Sequence, residues 1–187
     1  MTGPSCGPGP VADDLGPAPD DLEAVRAQLG RPPRGVRAVA HRCPCGLPDV
    51  VETAPRLPDG TPFPTLYYLT CPRATAAVSR LEAAGAMARM TERLAADPDL
   101  AAAYTLAHRD YLARRDAVAE VAEIAGVSAG GMPTRVKCLH VLVGHSLAAG
   151  RGVNPLGDEA LDAIGPWWAD GPCLGAAADD QASGAPA

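Results

Sequence analysis

The sequence predicts an α+β fold, in which a small antiparallel sheet of about three strands packs against a mainly helical layer. Three short runs rich in valine, threonine and tyrosine fall between residues 36 and 70, and glycine and proline separate them. Segments rich in alanine and leucine then follow with helical spacing as far as residue 164. With 187 residues, the chain is long enough for one domain with a hydrophobic core.

We expect a single domain from residue 20 to residue 168, between two disordered tails. Residues 1–19 are rich in proline, glycine and aspartate, and residues 169–187 are small, polar and acidic. The first residues have neither a basic nor an apolar signal region, and no apolar run approaches the roughly 20 residues of a spanning helix. A cytoplasmic location without membrane contact is therefore expected.

A short helix and three strands open the predicted domain. Asp20 or Asp21 caps the helix, and Gly30 ends it. Pro58-Asp59-Gly60 predicts a turn between the second and third strands, because proline fixes one backbone dihedral angle and glycine permits a positive one. The strands are expected at residues 36–40, 49–53 and 65–70.

Proline-containing signals mark the starts of the later helices. Pro72 follows Cys71 and opens a helix that Gly85 ends or kinks, after which helical spacing resumes. Asp97-Pro98-Asp99 and Asn154-Pro155 each combine a capping side chain with proline in the first turn. Helices are therefore predicted to begin at both positions.

The central element of the predicted fold is a helix from Thr134 to about Ala149. It follows the glycine pair Gly130-Gly131, has proline near its start and is apolar nearly all round. A helix that is apolar on most of its faces is usually buried.

The charge balance argues against general binding to nucleic acid. The net charge is −6 and the isoelectric point is near 5.1. A sequence-independent nucleic-acid binder needs clustered lysine and arginine to replace the counterions of the phosphates.

Cysteines are the first group of candidate site residues. In a reducing cytoplasm they serve as metal ligands, reactive groups or core residues rather than disulfides. Cys43, Cys45, Cys71 and Cys138 could surround a zinc ion, with His140 as a further ligand. On one helix, however, Cys138 and His140 would point in nearly opposite directions. The alternative is that these cysteines only pack in the core or at the surface.

Cys71 is the candidate nucleophile. As the residue before a helix that begins at Pro72, it would lie where free backbone N–H groups favour a thiolate, with Arg73 nearby. The pKa of the Cys71 thiol should then be lowered. The alternative is a thiol that merely caps the helix.

The segment around the glycine pair is a candidate anion-binding site. Gly130 and Gly131 would let the backbone approach a ligand, and a helix starting at Thr134 would offer free N–H groups. Arg135 and Lys137 would add positive charge. The alternative is a loop that only leads the chain into the central helix.

Several motifs occur in an order that resembles a bacterial family known as domain of unknown function 501. The resemblance covers about residues 36 to 164 and includes Cys43 more surely than Cys45, which leaves Cys43, Cys71 and Cys138 as the better trio. It implies a cytoplasmic protein often encoded near enolase, a septum-formation initiator and an exopolyphosphatase-type phosphatase. The motifs are Arg42-Cys43-Pro44, the stretch from Asp59 to Thr65, Tyr68 to Pro72, Gly130 to Pro133, and Arg135 to His140.

Three functions are compatible with the sequence. The first is a cytoplasmic accessory protein that binds a metal, with zinc as the candidate, or a small anionic ligand through cysteine, histidine and arginine. The second is a thiol-dependent enzyme that acts on an anionic metabolite with Cys71 as nucleophile. The third, implied by the resemblance, is a protein-interaction partner in cell division or phosphate metabolism.

Overall fold

The predicted α+β architecture is confirmed by a computed structural model that describes residues 17–174. Within that range there are six α-helices, three strands and one short 3-10 helix. In chain order they are α1 Pro19–Leu29, β1 Val36–Arg42, β2 Pro48–Thr53, β3 Tyr67–Leu69, α2 Pro72–Ala83, α3 Ala86–Ala96, α4 Pro98–Val118, the 3-10 helix Ala122–Ile124, α5 Leu139–Ala149 and α6 Pro155–Ile164.

The three strands form one antiparallel sheet in the order β1-β2-β3. In the central strand, Val51 lies opposite Val39 of β1 and Tyr68 of β3. Both faces of β2 are covered, because Val50 and Val51 point in opposite directions and are 0% and 1% exposed. The face that includes Val50 packs against α5, and α1 contacts the sheet as well.

Helix α5 is central, as its composition predicts. Leu139, Leu142 and Val143 on this helix are all 0% exposed. Helix α6 crosses it closely at Gly157, where an added Cβ would lie 2.3 Å from the carbonyl oxygen of Leu142. The sheet, α2 and α6 therefore pack around α5.

The predicted start of this helix is wrong. The helix begins at Leu139 rather than Thr134, and Cys138 is its N-cap in an extended conformation. The reason is a closed turn before it, in which the Lys137 amide donates to the Gly130 carbonyl at 2.7 Å. The preceding amide, that of Val136, donates to the Thr91 hydroxyl at 3.0 Å, so neither amide makes a helical hydrogen bond.

The cap predicted for α1 is wrong, although Gly30 ends the helix as predicted. Because the helix already begins at Pro19, its N-cap is Ala18, which makes no side-chain hydrogen bond. Asp20 and Asp21 therefore lie inside the first turn.

The helix starts predicted at Pro72, Asp97 and Asn154 are confirmed. Asp97 Oδ1 accepts hydrogen bonds from the amides of Asp99 and Leu100, each at 3.0 Å. Asn154 Oδ1 accepts one from the Gly157 amide at 3.0 Å. Both helices begin with the proline that follows the cap.

The folded region extends beyond the expected boundary at residue 168. Arg73 Nη1 donates to the Gly171 carbonyl at 2.8 Å, and Gln28 Nε2 donates to Cys173 Sγ at 3.3 Å. Residues 169–174 thus contact the domain, although they were expected to be part of the tail. The rest of both expected tails, residues 1–16 with Cys6 and residues 175–187, lies outside the described residues. None of the helices between residues 17 and 174 has the length and apolar character needed to cross a membrane.

Candidate functional site

Glu82, Cys138 and His140 bring three potential metal-ligand atoms together. His140 Nδ1 lies 3.8 Å from Cys138 Sγ and 3.2 Å from Glu82 Oε1. Within residues 17–174, this is the one group of three or more His, Cys, Asp or Glu side chains whose ligand atoms all lie within 4.8 Å of one another. All three side chains are partly buried.

The start of α5 positions two members of this group. Because Cys138 is the N-cap, its side chain turns back over the first helical turn, where His140 is the second residue. The prediction that Cys138 and His140 point apart is therefore wrong, since it assumed that both belonged to one helix.

Glu82 reaches the same point from the last turn of α2. Its Oε1 accepts a hydrogen bond from the Leu139 amide at 2.7 Å, which is one of the free N–H groups at the start of α5. The positive end of a helix dipole attracts both a carboxylate and a thiolate. The first turn of α5 thus holds Glu82 and Cys138 side by side.

The second ring nitrogen of His140, Nε2, faces helix α2 instead. Nε2 lies 3.2 Å from the Thr75 carbonyl oxygen and 3.3 Å from the Ser79 hydroxyl. A carbonyl oxygen can only accept, so Nε2 carries the proton that it donates there. Nδ1 faces Cys138 and Glu82, where it donates a hydrogen bond when the ring is protonated and offers a lone pair when the ring is neutral.

The charges in this group support one another. Burial alone would raise the pKa of the Cys138 thiol, but hydrogen bonds from His140 and the Val141 amide outweigh it, and the pKa is lowered. Conversely, the hydrogen bond to Cys138, followed by the charge of Glu82, raises the pKa of His140 against the effect of burial. Each shift favours the charged form of its group, the thiolate of Cys138 and the imidazolium of His140.

A cleft of about 370 Å³ opens beside the group. Cys138 and His140 form part of its wall, and Tyr67 and Leu69 of β3 line it as well. Most of its exposed lining is apolar, apart from threonine and tyrosine hydroxyl groups. A small molecule in this cleft would contact the thiol and the imidazole directly.

Comparison with known proteins places this site within a family. The model of the family described as protein of unknown function (DUF501) matches residues 39–162. The chain belongs to this family. The suspected resemblance is thus confirmed, and the match includes Glu82, Cys138 and His140. No curated protein and no solved structure matches the chain.

In this DUF501 protein, the predicted cysteine trio does not converge. Cys43 interacts with Cys45 and Asp49 beside the turn between β1 and β2. Cys71 interacts with Cys173, and Cys138 with His140. The sulfur atoms of Cys43, Cys71 and Cys138 do not all lie within 4.8 Å of one another, so a zinc site built from these three cysteines is contradicted by the geometry.

Cys71 is the predicted N-cap of α2, but it is not an activated thiol. It is 1% exposed, and burial raises its pKa to about 11. The backbone N–H groups of the helix lower the pKa by less than burial raises it. The expected lowering is therefore wrong for Cys71, whereas it holds for Cys138 at the start of α5.

The predicted anion site lacks the helix start on which it depended. Thr134, Arg135 and Lys137 lie in the closed turn before α5 rather than in its first turn. An added Cβ at Gly131 would lie 2.8 Å from the Arg135 carbonyl oxygen and 2.9 Å from Lys137 Cβ, and one at Gly130 would lie 3.2 Å from Leu142. The space beside both glycines is thus filled by the protein itself.

A second histidine network was not predicted from the sequence. His145 is 0% exposed, and its Nε2 lies 2.8 Å from Asp110 Oδ1. Its Nδ1 lies 3.3 Å from Asn154 Nδ2, and its ring stacks on Tyr67 at a centroid distance of 6.0 Å. Burial lowers the pKa of His145 despite Asp110. A neutral ring bonded at both nitrogens cross-links α4, α5 and the start of α6.

Proposed function

We propose that this protein binds a zinc-type divalent cation through Glu82, Cys138 and His140 and uses it on a small molecule held in the adjoining cleft. The observation that carries the proposal is the convergence of a Glu82 carboxylate oxygen, Cys138 Sγ and a His140 ring nitrogen within 4.8 Å of one another. One thiolate, one imidazole and one carboxylate are a ligand set that zinc accepts. In the cytoplasm, where we also place the protein, the thiol stays reduced.

The two distances from His140 Nδ1, to Cys138 Sγ and to Glu82 Oε1, fit a tetrahedral ion. Zinc bonds of about 2.3 Å to sulfur and about 2.0 Å to nitrogen or oxygen imply tetrahedral edges of about 3.6 Å for sulfur to nitrogen and about 3.3 Å for nitrogen to oxygen. The corresponding distances around His140 Nδ1 are 3.8 Å and 3.2 Å. These two edges differ from the ideal values by only about 0.1–0.2 Å.

The surroundings of His140 also fit a metal ligand. Histidine ligands usually donate their other ring N–H to a carbonyl or a carboxylate, which fixes the tautomer and the ring orientation. His140 Nε2 makes this contact with the Thr75 carbonyl at 3.2 Å. Nδ1 is thereby left to bind the ion.

Three protein ligands leave a fourth position for water or a substrate. Zinc sites that are purely structural usually have four protein ligands, whereas catalytic ones have three. Because Cys138 and His140 line the cleft, the fourth position would be accessible from it. A bound cation would supply an activated water molecule or polarise a carbonyl or phosphoryl oxygen there.

Metal content and metal-dependent stability test the proposal. Protein purified without an affinity tag or chelator should contain about one zinc per chain, and removal by a chelator should lower its melting temperature. Cys138→Ser should abolish both effects. Cys45→Ser is the matched control, because Cys45 is partly exposed and lies outside the Cys138 group. Metal content near zero together with unchanged melting after chelation would contradict the proposal.

A thiol-dependent enzyme is the second candidate, and its nucleophile is Cys138 rather than Cys71. Two observations favour it: Cys138 is the N-cap of α5, and its Sγ lies 3.8 Å from His140 Nδ1. Iodoacetamide labelling against pH tests it: Cys138 should react well below the pH at which an ordinary thiol does. If Cys138 reacts only as an ordinary thiol does, this candidate is rejected.

A role as an interaction partner in cell division or phosphate metabolism stays a third proposal. Its support is the genomic setting that the family resemblance implies. Pull-down with the full-length chain as bait should recover enolase, the septum-formation initiator or the phosphatase. If none of these is recovered, the proposal fails.

A further inference from the structure

A second cleft lies on the face of the sheet opposite α5. Val50 belongs to the core that α5 shares, whereas Val51 lies outside that core and is still 1% exposed. Since successive residues of a strand point to opposite faces, Val51 marks a separate apolar region. The end of α1, residues 30–34 and the loop of residues 55–63 surround it.

This second cleft is large enough for a small organic molecule. Its volume is about 310 Å³, within the lower range of ligand sites in proteins. Its walls are mainly aliphatic and aromatic, and they include Leu29, Val36, Val51, Leu57, Phe63 and Tyr68.

Backbone hydrogen bonds hold the loop side of the cleft in place. The Phe63 amide donates to the Pro55 carbonyl at 2.7 Å, and the Leu57 amide donates to the Thr61 carbonyl at 2.9 Å. The side chain of Arg56 adds bonds to the Gly60 carbonyl at 2.7 Å and to Glu123. The cleft is thus formed before any ligand enters, which reduces the entropy lost on binding.

The charged residues of the cleft are all positive. Arg31 and Arg34 line it, and no acidic side chain does. Arg34 pairs with Asp59, whereas Arg31 makes no ion pair within residues 17–174. This local charge contrasts with the net charge of −6 for the whole chain. An apolar cleft with an unpaired guanidinium at its edge is complementary to a molecule with an apolar body and one anionic group.

We propose that this cleft binds a small organic carboxylate, whose apolar body lies against Val51 and Phe63 and whose carboxylate pairs with Arg31. Guanidinium groups bind carboxylates through two parallel hydrogen bonds, which gives the preference for an anion. This site is separate from Glu82, Cys138 and His140, so it stands whether or not the protein binds a metal.

Decanoate, with decanol as its neutral analogue, tests the proposal by isothermal titration of the full-length chain. Decanoate should bind saturably, with one molecule per chain, and at least about tenfold more tightly than decanol. Arg31→Gln should weaken decanoate binding by about tenfold, because it removes a hydrogen bond to a charged group. Binding of decanol should stay unchanged in this variant.

Two further variants complete the test. Arg109→Gln removes another exposed arginine, on α4 and outside the cleft lining, and should leave decanoate binding unchanged. Leu29→Trp fills the cleft from its partly exposed rim and should abolish binding of both ligands. The proposal is overturned if decanoate does not bind saturably, if decanol binds as tightly, or if Arg31→Gln has no effect. Because Arg31 is exposed, that variant decides the matter even if Leu29→Trp does not fold.

Discussion

Replacement of Glu82 by glutamine should separate metal binding from folding. Glu82 Oε1 accepts the Leu139 amide at 2.7 Å, and a glutamine side-chain oxygen can accept it too. The charge is lost beside His140, but both side chains are partly exposed, at 20% for Glu82 and 24% for His140. A hydrogen bond to a charged group contributes about 1.5–3 kcal/mol, and one between neutral groups contributes about 0.5–1.5 kcal/mol. Because glutamine keeps a neutral hydrogen bond, the free energy of unfolding of the metal-free protein should fall by only about 1–2 kcal/mol.

The effect of the same change on zinc should be much larger. A neutral amide is a poor zinc ligand, and loss of even an outer hydrogen-bond partner of a ligand weakens metal binding by about 10- to 100-fold. Loss of a direct ligand should exceed that, so Glu82→Gln should weaken zinc binding by more than about 100-fold. Glu92→Gln is the control, because Glu92 is an exposed carboxylate on α3 outside the group.

Competition with a chromophoric chelator measures zinc affinity, and urea unfolding without metal measures stability. If Glu82→Gln binds zinc as tightly as the unchanged protein, Glu82 is not a ligand. If instead the metal-free variant loses several kcal/mol, Glu82 acts mainly by stabilising the start of α5. Either result would refute the reasoning.

Three further changes test the buried structure. Burial lowers the pKa of His145 below 6.5, so the unfolded chain binds the proton more readily than the folded protein does. The free energy of unfolding should therefore fall as the pH drops below 6.5. His145→Gln should flatten this decline in urea unfolding between about pH 7 and pH 5, and an unchanged slope would contradict the prediction. Gly157→Ala should lower the free energy of unfolding by about 1–3 kcal/mol, because the added Cβ would lie 2.3 Å from the Leu142 carbonyl oxygen. Thermal melting checks this, and a variant as stable as the original would show that α6 can move away. Tyr111→Phe should lower the free energy of unfolding, measured with urea, by about 1–3 kcal/mol, because the buried Leu66 amide donates to the Tyr111 hydroxyl at 2.6 Å. An unchanged free energy of unfolding would mean that this amide finds another acceptor.

Local signals account for most of the elements that were predicted correctly. The starts at Asp97 and Asn154 were predictable because a capping side chain, a proline and the first free amides all lie within four residues. The burial of α5 was predictable because its residues are apolar nearly all round. The residue at which α5 begins was not predictable, because the turn before the helix depends on Thr91, which is 45 residues away from Val136 in sequence.

In the candidate site, too, the residue types could be predicted from the sequence, but their arrangement could not. Cys138 and His140 were both identified from residue type, but their relation depended on where the helix begins. Glu82 was missed altogether, since nothing in the sequence near it distinguishes it from other helical glutamates. The signal would have been its position at the end of α2 facing the start of α5, and this requires the packing of the two helices.

The sequence by itself determined the α+β class, the order of the elements, the family and the residue types with which a metal can be bound. Those properties depend on periodicity, capping and motifs within a few residues. Only the tertiary structure decided which cysteine acts with a histidine. Burial raises the pKa of the Cys71 thiol at one helix start, whereas Cys138, at another, is accompanied by His140 and Glu82. Desolvation and the placement of charges are set by neighbours distant in sequence, and they determine which thiol is available for chemistry.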